Sequence, residues 1–401
     1  MIVLIVNCGS SSIKYQLYDM PGRKVLAKGL LERIGEGASA LTHRRGEEKF
    51  EIARPIPDHK TGLSLILSCL ADPGRGVLKN VREISAVGHR VVHGGERYSN
   101  AMRIDQDVIG CIGDCCDLAP LHNPPNLVGI QECTLALPGV PMVAVFDTAF
   151  HQTLPREAYL YGLPYEIYER YRIRKYGFHG TSHAYVTNRA AKLLGKPEAE
   201  VNLITCHLGN GSSMAAVRNG KSVDTSMGFT PLAGLVMGTR SGDLDPAIIP
   251  YLNSKQEYSR VADIDRMLNK KSGLLGISGI SNDMRTLGDE AAKAGASSRP
   301  QLAINIFCYR IKAFLGQYMA ILGRVDAVCF MGGIGENSAA VREQCLAGLE
   351  NFGIAIDLQK NRNFPRGEEC DISEAASRTR VLVIPTDEEG WIAEETYKLC
   401  K

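Results

Sequence analysis

The chain has 401 residues, of which 44% are apolar and 22% are charged, and its formal net charge is +2 at pH 7. This composition is typical of a globular protein long enough for two domains, and it points to neither nucleic-acid nor membrane binding. No apolar stretch approaches the roughly 20 residues of a membrane-spanning helix, and the apolar run at the N-terminus is too short for a signal peptide. Twelve cysteines without an export signal favour reduced thiols, so we predict a cytoplasmic protein.

The N-terminal segment joins an apolar run at residues 2–6 to the sequence N-C-G-S-S-S-I-K at residues 7–14. A second apolar run follows, which predicts a β-hairpin with a small polar tip. Backbone N–H groups, the hydroxyls of Ser10 and Ser12 and the ammonium of Lys14 are donors suited to phosphate oxygens. The segment is not a P-loop, because G-x-x-x-x-G-K-[ST] is absent, and a Ser-rich turn by itself is more often only a turn.

A related pattern of strand, Gly/Ser turn and strand occurs at residues 201–225. Gly9 and Ser12 correspond there to Gly209 and Ser212, which predicts a duplicated domain. A phosphate held by two such hairpins would lie in a cleft between the domains. Chance similarity of two turns is the alternative.

The remaining periodicity interleaves strands with helices, which predicts an α/β protein with a mixed sheet in each half. Strands are expected near residues 24–31, 84–93, 142–147, 203–207, 327–331 and 380–385, and helices near 125–137, 182–194, 300–323 and 338–351. We place the domain boundary after Phe150, giving domains 1–150 and 151–387. The tail, residues 388–401, is expected to be helical and to pack back on the first domain.

Three features have competing interpretations. Residues 327–337 read as an apolar strand, then G-G-I-G-E-N, then a helix from Ser338; this is either a nucleotide-binding turn or a plain strand–helix turn. Cys111, Cys115 and Cys116 lack a second C-x-x-C pair, so buried thiols are favoured over a zinc site. Cys8 is read as a small buried residue rather than a nucleophile.

Four charged or titratable residues lie in motifs that suit phosphoryl transfer. Arg90 and Arg240 lie in or beside glycine-rich segments, His179 lies between two glycines, and Asp147 ends a predicted strand. Arginines bind phosphoryl or carboxylate oxygens, and phosphoryl transfer depends mainly on positioning and charge neutralisation. Taken singly, a surface arginine, a structural histidine and a helix-capping aspartate are the alternatives.

Together these motifs resemble the acetate kinase family, within the sugar kinase/Hsp70/actin-like superfamily. The matching segments are N-C-G-S-S-S-I-K (7–14), G-H-R-V-V-H-G-G (88–95), L-H-N-P-P-N (121–126), V-F-D-T-A-F-H (145–151), Y-G-F-H-G-T-S-H (176–183), H-L-G-N-G (207–211), D-T-S-M-G (224–228), M-G-T-R-S-G-D (237–243), G-G-I-G-E-N (332–337) and P-T-D-E-E (385–389). The last differs mildly from the T-N-E-E that is also common. The resemblance implies duplicated actin-like (ribonuclease H-like) domains and reversible, direct transfer of the γ-phosphoryl group of ATP to acetate.

The resemblance also implies residue roles. Arg90 and Arg240 would hold the carboxylate and the phosphoryl group, His179 would stabilise its oxygens together with Arg240, and Asp147 would orient Arg90 and acetate. Mg²⁺, for which Mn²⁺ can substitute, would be held by Asn7 and Glu388. The ATP-binding residues implied are Ser10, Ser12, Lys14, His207, Leu208, Gly209, Asn210, Gly211, Asp283, Met284, Arg285, Gly332, Gly333, Ile334, Gly335 and Asn337.

Substrate choice and assembly follow from the same resemblance. The acetate methyl pocket would consist of Val92, Leu121, Phe178 and Pro231, and the bulk of Val92 favours acetate over propionate. A propionate or butyrate kinase is the alternative within this class, and an actin- or Hsp70-like ATPase module is the alternative outside it. The second domain is expected to bind nucleotide and to form a homodimer.

Overall fold

The computed structural model describes residues 1–401, and the chain divides into two compact units. Unit 1 comprises Met1–Gln152 and Asp387–Lys401, and unit 2 comprises Thr153–Thr386. No helix is both long enough and apolar enough to cross a bilayer.

The fourteen strands are β1 (Ile2–Cys8), β2 (Ser12–Asp19), β3 (Lys24–Glu32), β4 (Ala40–Arg45), β5 (Glu48–Ala53), β6 (Ile84–Val91), β7 (Met102–Arg103), β8 (Met142–Phe146), β9 (Leu203–Leu208), β10 (Ser212–Arg218), β11 (Lys221–Thr225), β12 (Ala327–Met331), β13 (Cys370–Asp371) and β14 (Arg380–Val383). The α-helices are α1 (His59–Leu70), α2 (Gln106–Asp114), α3 (Asn123–Ala136), α4 (Arg156–Tyr159), α5 (Tyr165–Tyr171), α6 (Gly180–Leu193), α7 (Ile248–Asn253), α8 (Val261–Lys270), α9 (Gly273–Ser278), α10 (Met284–Ala294), α11 (Arg299–Leu322), α12 (Gly332–Asn337), α13 (Ala339–Leu346), α14 (Leu358–Asn363) and α15 (Glu388–Cys400).

The two units repeat one sheet topology. In unit 1 the strand order is β5-β4-β3-β2-β1-β6-β8-β7, and in unit 2 it is β11-β10-β9-β12-β14-β13. Each sheet has an antiparallel hairpin, β1–β2 or β9–β10, followed by two parallel strands and a short antiparallel edge strand. This repetition confirms the predicted duplicated α/β fold.

The central strands of both sheets are largely buried and carry apolar side chains on both faces, as strands covered on each side do. In β1, Leu4 and Val6 pack into a core that includes residues of α1, whereas Val3 and Ile5 face residues of α15. In unit 2 the long helix α11 supplies Phe307 and much of the main core. A serine N-cap begins α11, and a glycine in the left-handed region ends it.

The segment G-G-I-G-E-N differs from its predicted conformation. We expected a turn before a helix at Ser338, but α12 begins at Gly332, directly after β12, and Ser338 instead caps α13. Gly332 makes the change of direction in one residue, with φ of +78°. The carboxylate of Glu336 accepts hydrogen bonds from the backbone N–H of Gly332 (2.9 Å) and of Thr386 (3.0 Å), which stabilises the start of the helix.

Candidate functional site

The tips of the two hairpins have the predicted conformation. In unit 1 the tip is closed by a bond from Gly9 N–H to the Ser12 carbonyl (2.9 Å), and in unit 2 by bonds between Gly209 and the Ser212 hydroxyl. Ser10 lies at the exposed tip of the first hairpin. Lys14 follows it on β2 and forms an ion pair with Glu389 at the start of α15. The phosphate-binding role of Ser10, Ser12 and Lys14 stays a prediction.

Arg90 on β6 lies beside Asp147, the residue that follows the neighbouring parallel strand β8. The Arg90 guanidinium donates to Asp147, whose side chain is buried, so the aspartate is an ion-pair partner rather than a helix cap. Burial alone lowers the pKa of Arg90, but the charges of Asp147, Glu388 and Glu389 outweigh it and raise that pKa. Nε of Arg90 is buried and has no hydrogen-bond partner.

The motif L-H-N-P-P-N positions the segment that follows Arg90. Asn126 accepts a bond from Val92 N–H (3.0 Å) and donates to the Cys8 carbonyl (2.8 Å), while Asn123 accepts from His93 N–H (3.1 Å). Both asparagines are buried at the start of α3. The sequence motif was recognised, but no role was predicted for these two residues, because hydrogen bonds between a side-chain amide and a backbone some 30 residues away leave no local pattern.

Asn7 and Glu388 supply oxygen donors of the kind that Mg²⁺ prefers. Asn7 lies near the end of β1 and Glu388 is the first residue of α15; both belong to unit 1, and the charge of Glu388 acts on Arg90. No three His, Cys, Asp or Glu side chains are grouped as a metal cage. An amide and one carboxylate fit Mg²⁺, which takes its other oxygens from water and substrate phosphates.

His179 and Arg240 lie close together in unit 2. A Cβ placed on Gly211 would be 3.4 Å from the His179 ring and 3.5 Å from Nη1 of Arg240, so both side chains border the space beside this glycine. Arg240 is partly buried, donates to the Pro231 carbonyl (3.2 Å) and forms no ion pair. Burial lowers its pKa, and no carboxylate opposes that effect. A buried cation without a counter-ion is the arrangement expected of an anion site.

A buried hydroxyl orients His179. Ser213 Oγ is hydrogen-bonded to His179 Nδ1 (2.9 Å) and to His183 Nε2 (2.9 Å), and His183 Nδ1 contacts the Thr205 hydroxyl (2.7 Å). One hydroxyl has one proton, so at least one imidazole nitrogen donates. His179 also stacks on His207, with ring centroids 4.2 Å apart. Sequence reasoning missed Ser213 and His183, although both lie in the quoted motifs or beside them.

A cavity of about 600 Å³ in unit 2 lies beside these residues. Its lining contains the predicted residues Gly209, Asn210, Asp283, Met284, Arg285, Gly333, Ile334 and Asn337, together with Asn282, Ser338 and Arg366. Asn210 connects the cavity lining to the segment that carries Arg240, since its side-chain oxygen accepts from Asn282 (2.9 Å), another lining residue, and its carbonyl accepts from Gly238 N–H (2.9 Å). This volume is within the range of small-molecule sites.

The other predicted nucleotide residues lie outside this lining. Leu208, Gly332 and Gly335 are buried where α12 packs against β9, and a Cβ on Gly332 would be 2.8 Å from the Leu208 carbonyl. These glycines therefore permit close packing behind the cavity wall. Asn282 could have been inferred from its place before Asp283, whereas Arg366 lies on a distant loop with no sequence signal.

The predicted methyl-pocket residues are divided between the units. Val92 is buried and Leu121 is 69% exposed in unit 1, while Phe178 is buried and Pro231 partly buried in unit 2. Pro231 is tied to the site by the bond from Arg240. The pocket as a set of four stays a prediction.

The cysteines are all free, and burial raises the pKa of several of them. The pKa of the Cys8 thiol is raised to about 12, so the thiol stays protonated near neutral pH and is a poor nucleophile. Burial likewise raises the pKa of Cys115, at the end of α2, to about 12. Both behave as small buried side chains, as the sequence predicted.

Residues 2–394 match the sequence model described as the Acetokinase family. An acetate kinase of Acetivibrio thermocellus is 56% identical over 402 residues, covering 100% of both chains. Among solved structures, an acetate kinase of Porphyromonas gingivalis has a TM-score of 0.96 and 46% identity, covering 100% of both chains. A propionate kinase of Francisella tularensis has a TM-score of 0.92 and 44% identity, covering 99% of both chains.

Proposed function

Because the chain belongs to the acetokinase family, we propose that it transfers the γ-phosphoryl group of ATP reversibly to acetate, giving acetyl phosphate and ADP. The observation that carries the proposal is the pairing of His179 with Arg240, a partly buried guanidinium that has no counter-ion. A phosphoryl group in transfer carries negative charge on its equatorial oxygens, and such a pair is suited to neutralise it.

The reaction needs no general base. A carboxylate oxygen of acetate attacks the γ-phosphorus, the bond from that phosphorus to the bridging oxygen breaks, and ADP leaves with the electron pair. Acetate is already ionised at pH 7, so Asp147 has no proton to remove. Its ion pair with Arg90 supports a role in orienting the arginine, which would bind the acetate carboxylate.

The nucleotide is assigned to unit 2. The cavity beside Asn210, Asp283 and Gly333 supports an adenosine site, and the backbone at residues 207–211 supports contacts to phosphates. Gly333 has open space where a Cβ would be, which leaves room for a base. Asn7 and Glu388 would hold Mg²⁺ with the phosphates, and the ion would offset their negative charge.

The remaining proposals concern the phosphoryl acceptor, the oligomeric state and the cellular compartment of the protein. Val92 is expected to limit the acceptor, and one methylene in such a pocket is worth about 1–3 kcal/mol, so propionate should react more weakly. The protein is expected to form a homodimer through unit 2, which sedimentation at the mass of one chain would contradict. Twelve free cysteines support a reducing compartment, the cytoplasm.

The test is acyl phosphate formation, trapped with hydroxylamine, from Mg-ATP and acetate, propionate or butyrate. We expect acetate to give the highest kcat/KM, and Arg240→Ala to lower kcat by roughly 10³ because transition-state charge loses its partner. Arg266→Ala, at an exposed position on α8, is the matched control and should retain activity.

Each other outcome has a distinct meaning. Faster reaction of propionate or butyrate would keep the mechanism and reassign the acceptor pocket around Val92. Binding of ATP without any acyl phosphate would overturn the kinase assignment.

A further inference from the structure

One face of the sheet in unit 1 has a groove on the side of β1 that lies away from β6 and β8. It has a volume of about 490 Å³ and is lined by residues of β2, β3, β4 and β5, among them Gln16, Lys28, Thr42, Arg44 and Lys49. The strand register places Gln16 opposite Lys28, Lys28 opposite Arg44, and Arg44 opposite Lys49. We call Lys28, Arg44 and Lys49 the cationic row.

The cationic row is unfavourable for the stability of the sheet in the absence of a bound anion. Like charges directly opposite each other on neighbouring strands destabilise a sheet, and the row contains two such pairs in succession. Lys49 forms an ion pair with Glu51, but Lys28 and Arg44 form none. The whole chain carries a net charge of only +2, so the row is not a by-product of a basic composition.

The need to prevent another chain from pairing with the edge of the sheet accounts for only one residue of the cationic row. A lysine on an edge strand discourages pairing with other chains, and Lys49 lies on the edge strand β5. Lys28 and Arg44 lie on β3 and β4, which are paired on both sides. Edge protection therefore does not account for these two charges.

We propose that the cationic row binds a small linear anion that carries two or more phosphoryl groups. Neighbouring strands are about 4.8 Å apart, so the row presents cations over roughly 10 Å, too far for one phosphoryl group to meet all three. Arg44 can bind phosphoryl oxygens through two N–H groups, and uncharged donors are added by the Thr42 hydroxyl on the same strand and by the Gln16 amide opposite Lys28.

The surrounding charges favour a small ligand over a nucleic acid. Glu51 lies opposite Thr42 in the adjacent row, and Glu32 lies farther along β3 on the same face. The adjacent row also contains Lys14, whose charge is paired with Glu389, so the unpaired positive charge of the groove lies on Lys28 and Arg44. A nucleic-acid strand requires a longer basic track and exposed aromatic side chains for stacking, but the one aromatic residue of the lining, Tyr15, is buried.

The test measures binding of inorganic tripolyphosphate to the full chain by calorimetry without magnesium. We expect K28Q/R44Q to weaken binding by about tenfold or more, because charge-assisted contacts are lost. The matched control K60Q/R82Q removes the same charges from exposed positions of unit 1 outside the groove and should bind like the wild type. Orthophosphate should bind much more weakly, and K28Q/R44Q should keep its acetate-kinase kcat/KM.

Three results would overturn the proposal. Equal binding by the wild type and K28Q/R44Q would place tripolyphosphate elsewhere, the nucleotide cavity included. Equal weakening in K28Q/R44Q and K60Q/R82Q would reduce the effect to overall charge. Binding of single-stranded RNA through Lys28 and Arg44 without binding of tripolyphosphate would reassign the groove to a macromolecule. None of these results depends on whether acetate is the phosphoryl acceptor, so failure of this proposal can be distinguished from failure of the proposed function.

Discussion

Gly211 is the glycine of unit 2 whose lack of a side chain bears most directly on the proposed reaction. Its missing side chain leaves space that borders both His179 and Arg240. The motif H-L-G-N-G predicted a phosphate-binding turn, but it could not show which glycine faces the arginine.

Gly211→Ala is expected to fold normally and to lose activity. Its Cβ would make ordinary contacts of 3.4 and 3.5 Å, so the thermal midpoint should change little. The methyl group would occupy the space between the two side chains and displace the phosphoryl group, and a shift of about 1 Å costs roughly 10² in rate.

The measurements are hydroxamate kinetics and thermal unfolding of the same samples. Gly110→Ala is the control, because that glycine on α2 has open space around it. Full activity of Gly211→Ala would contradict the assignment of the phosphoryl group to this space.

Strand β6 shows how an element combines packing with placement of a functional residue. It lies between β1 and β8, and it carries buried His89 directly before Arg90. His89 is enclosed, with Nε2 3.3 Å from the sulfur of Met142. Burial lowers the pKa of His89 to about 3.

The buried histidine predicts a pH dependence of stability. Between about pH 6.5 and pH 3 the unfolded chain binds a proton at His89 that the folded chain does not, so stability falls as pH falls through this window. From pH 7 to pH 5 the loss attributable to His89 is about 2 kcal/mol. Above pH 7 this contribution is constant.

Urea unfolding of the wild type and His89→Leu at pH 7 and pH 5 measures this contribution. The variant should lose less stability on acidification, because leucine binds no proton in either state. The same pH dependence in both proteins would show that His89 is not responsible.

At the scale of the whole molecule, the chain returns from unit 2 to complete unit 1. Helix α15 begins at residue 388, yet Ile392 and Ala393 pack with Val3, Ile5 and Val143 of the first sheet. The helix also brings Glu388 and Glu389 beside Arg90. Unit 1 therefore cannot be completed by its N-terminal residues alone.

Ile392→Ala is expected to destabilise unit 1 by about 2–5 kcal/mol, because the lost side chain leaves a cavity in a closely packed layer. Lys398→Ala, at an exposed position of the same helix, is the control and should cost about 1 kcal/mol or less. Denaturant unfolding followed by tryptophan fluorescence suits this test, because the single tryptophan, Trp391, adjoins the substituted residue. Equal midpoints for the two variants would contradict the packing role of α15.

Local signals in the sequence were enough to predict the fold class, the repeat, the family and the central strands, whereas helices such as α1, α2, α8 and α10 were not predicted. Hydrophobic period and turn residues are local signals, so residues 327–331 were predicted with the bounds that β12 has. The glycine segment after them was not, because the Glu336 contacts that start α12 there include Thr386, 50 residues away.

Only the tertiary structure decided how the functional side chains are held. The ion pair of Arg90 with Asp147, the sharing of Ser213 by two histidines and the place of Arg366 in the cavity lining join segments that are far apart in sequence. The cationic row likewise follows from register across three strands. Such contacts depend on chain packing, and no local spacing of residues encodes them.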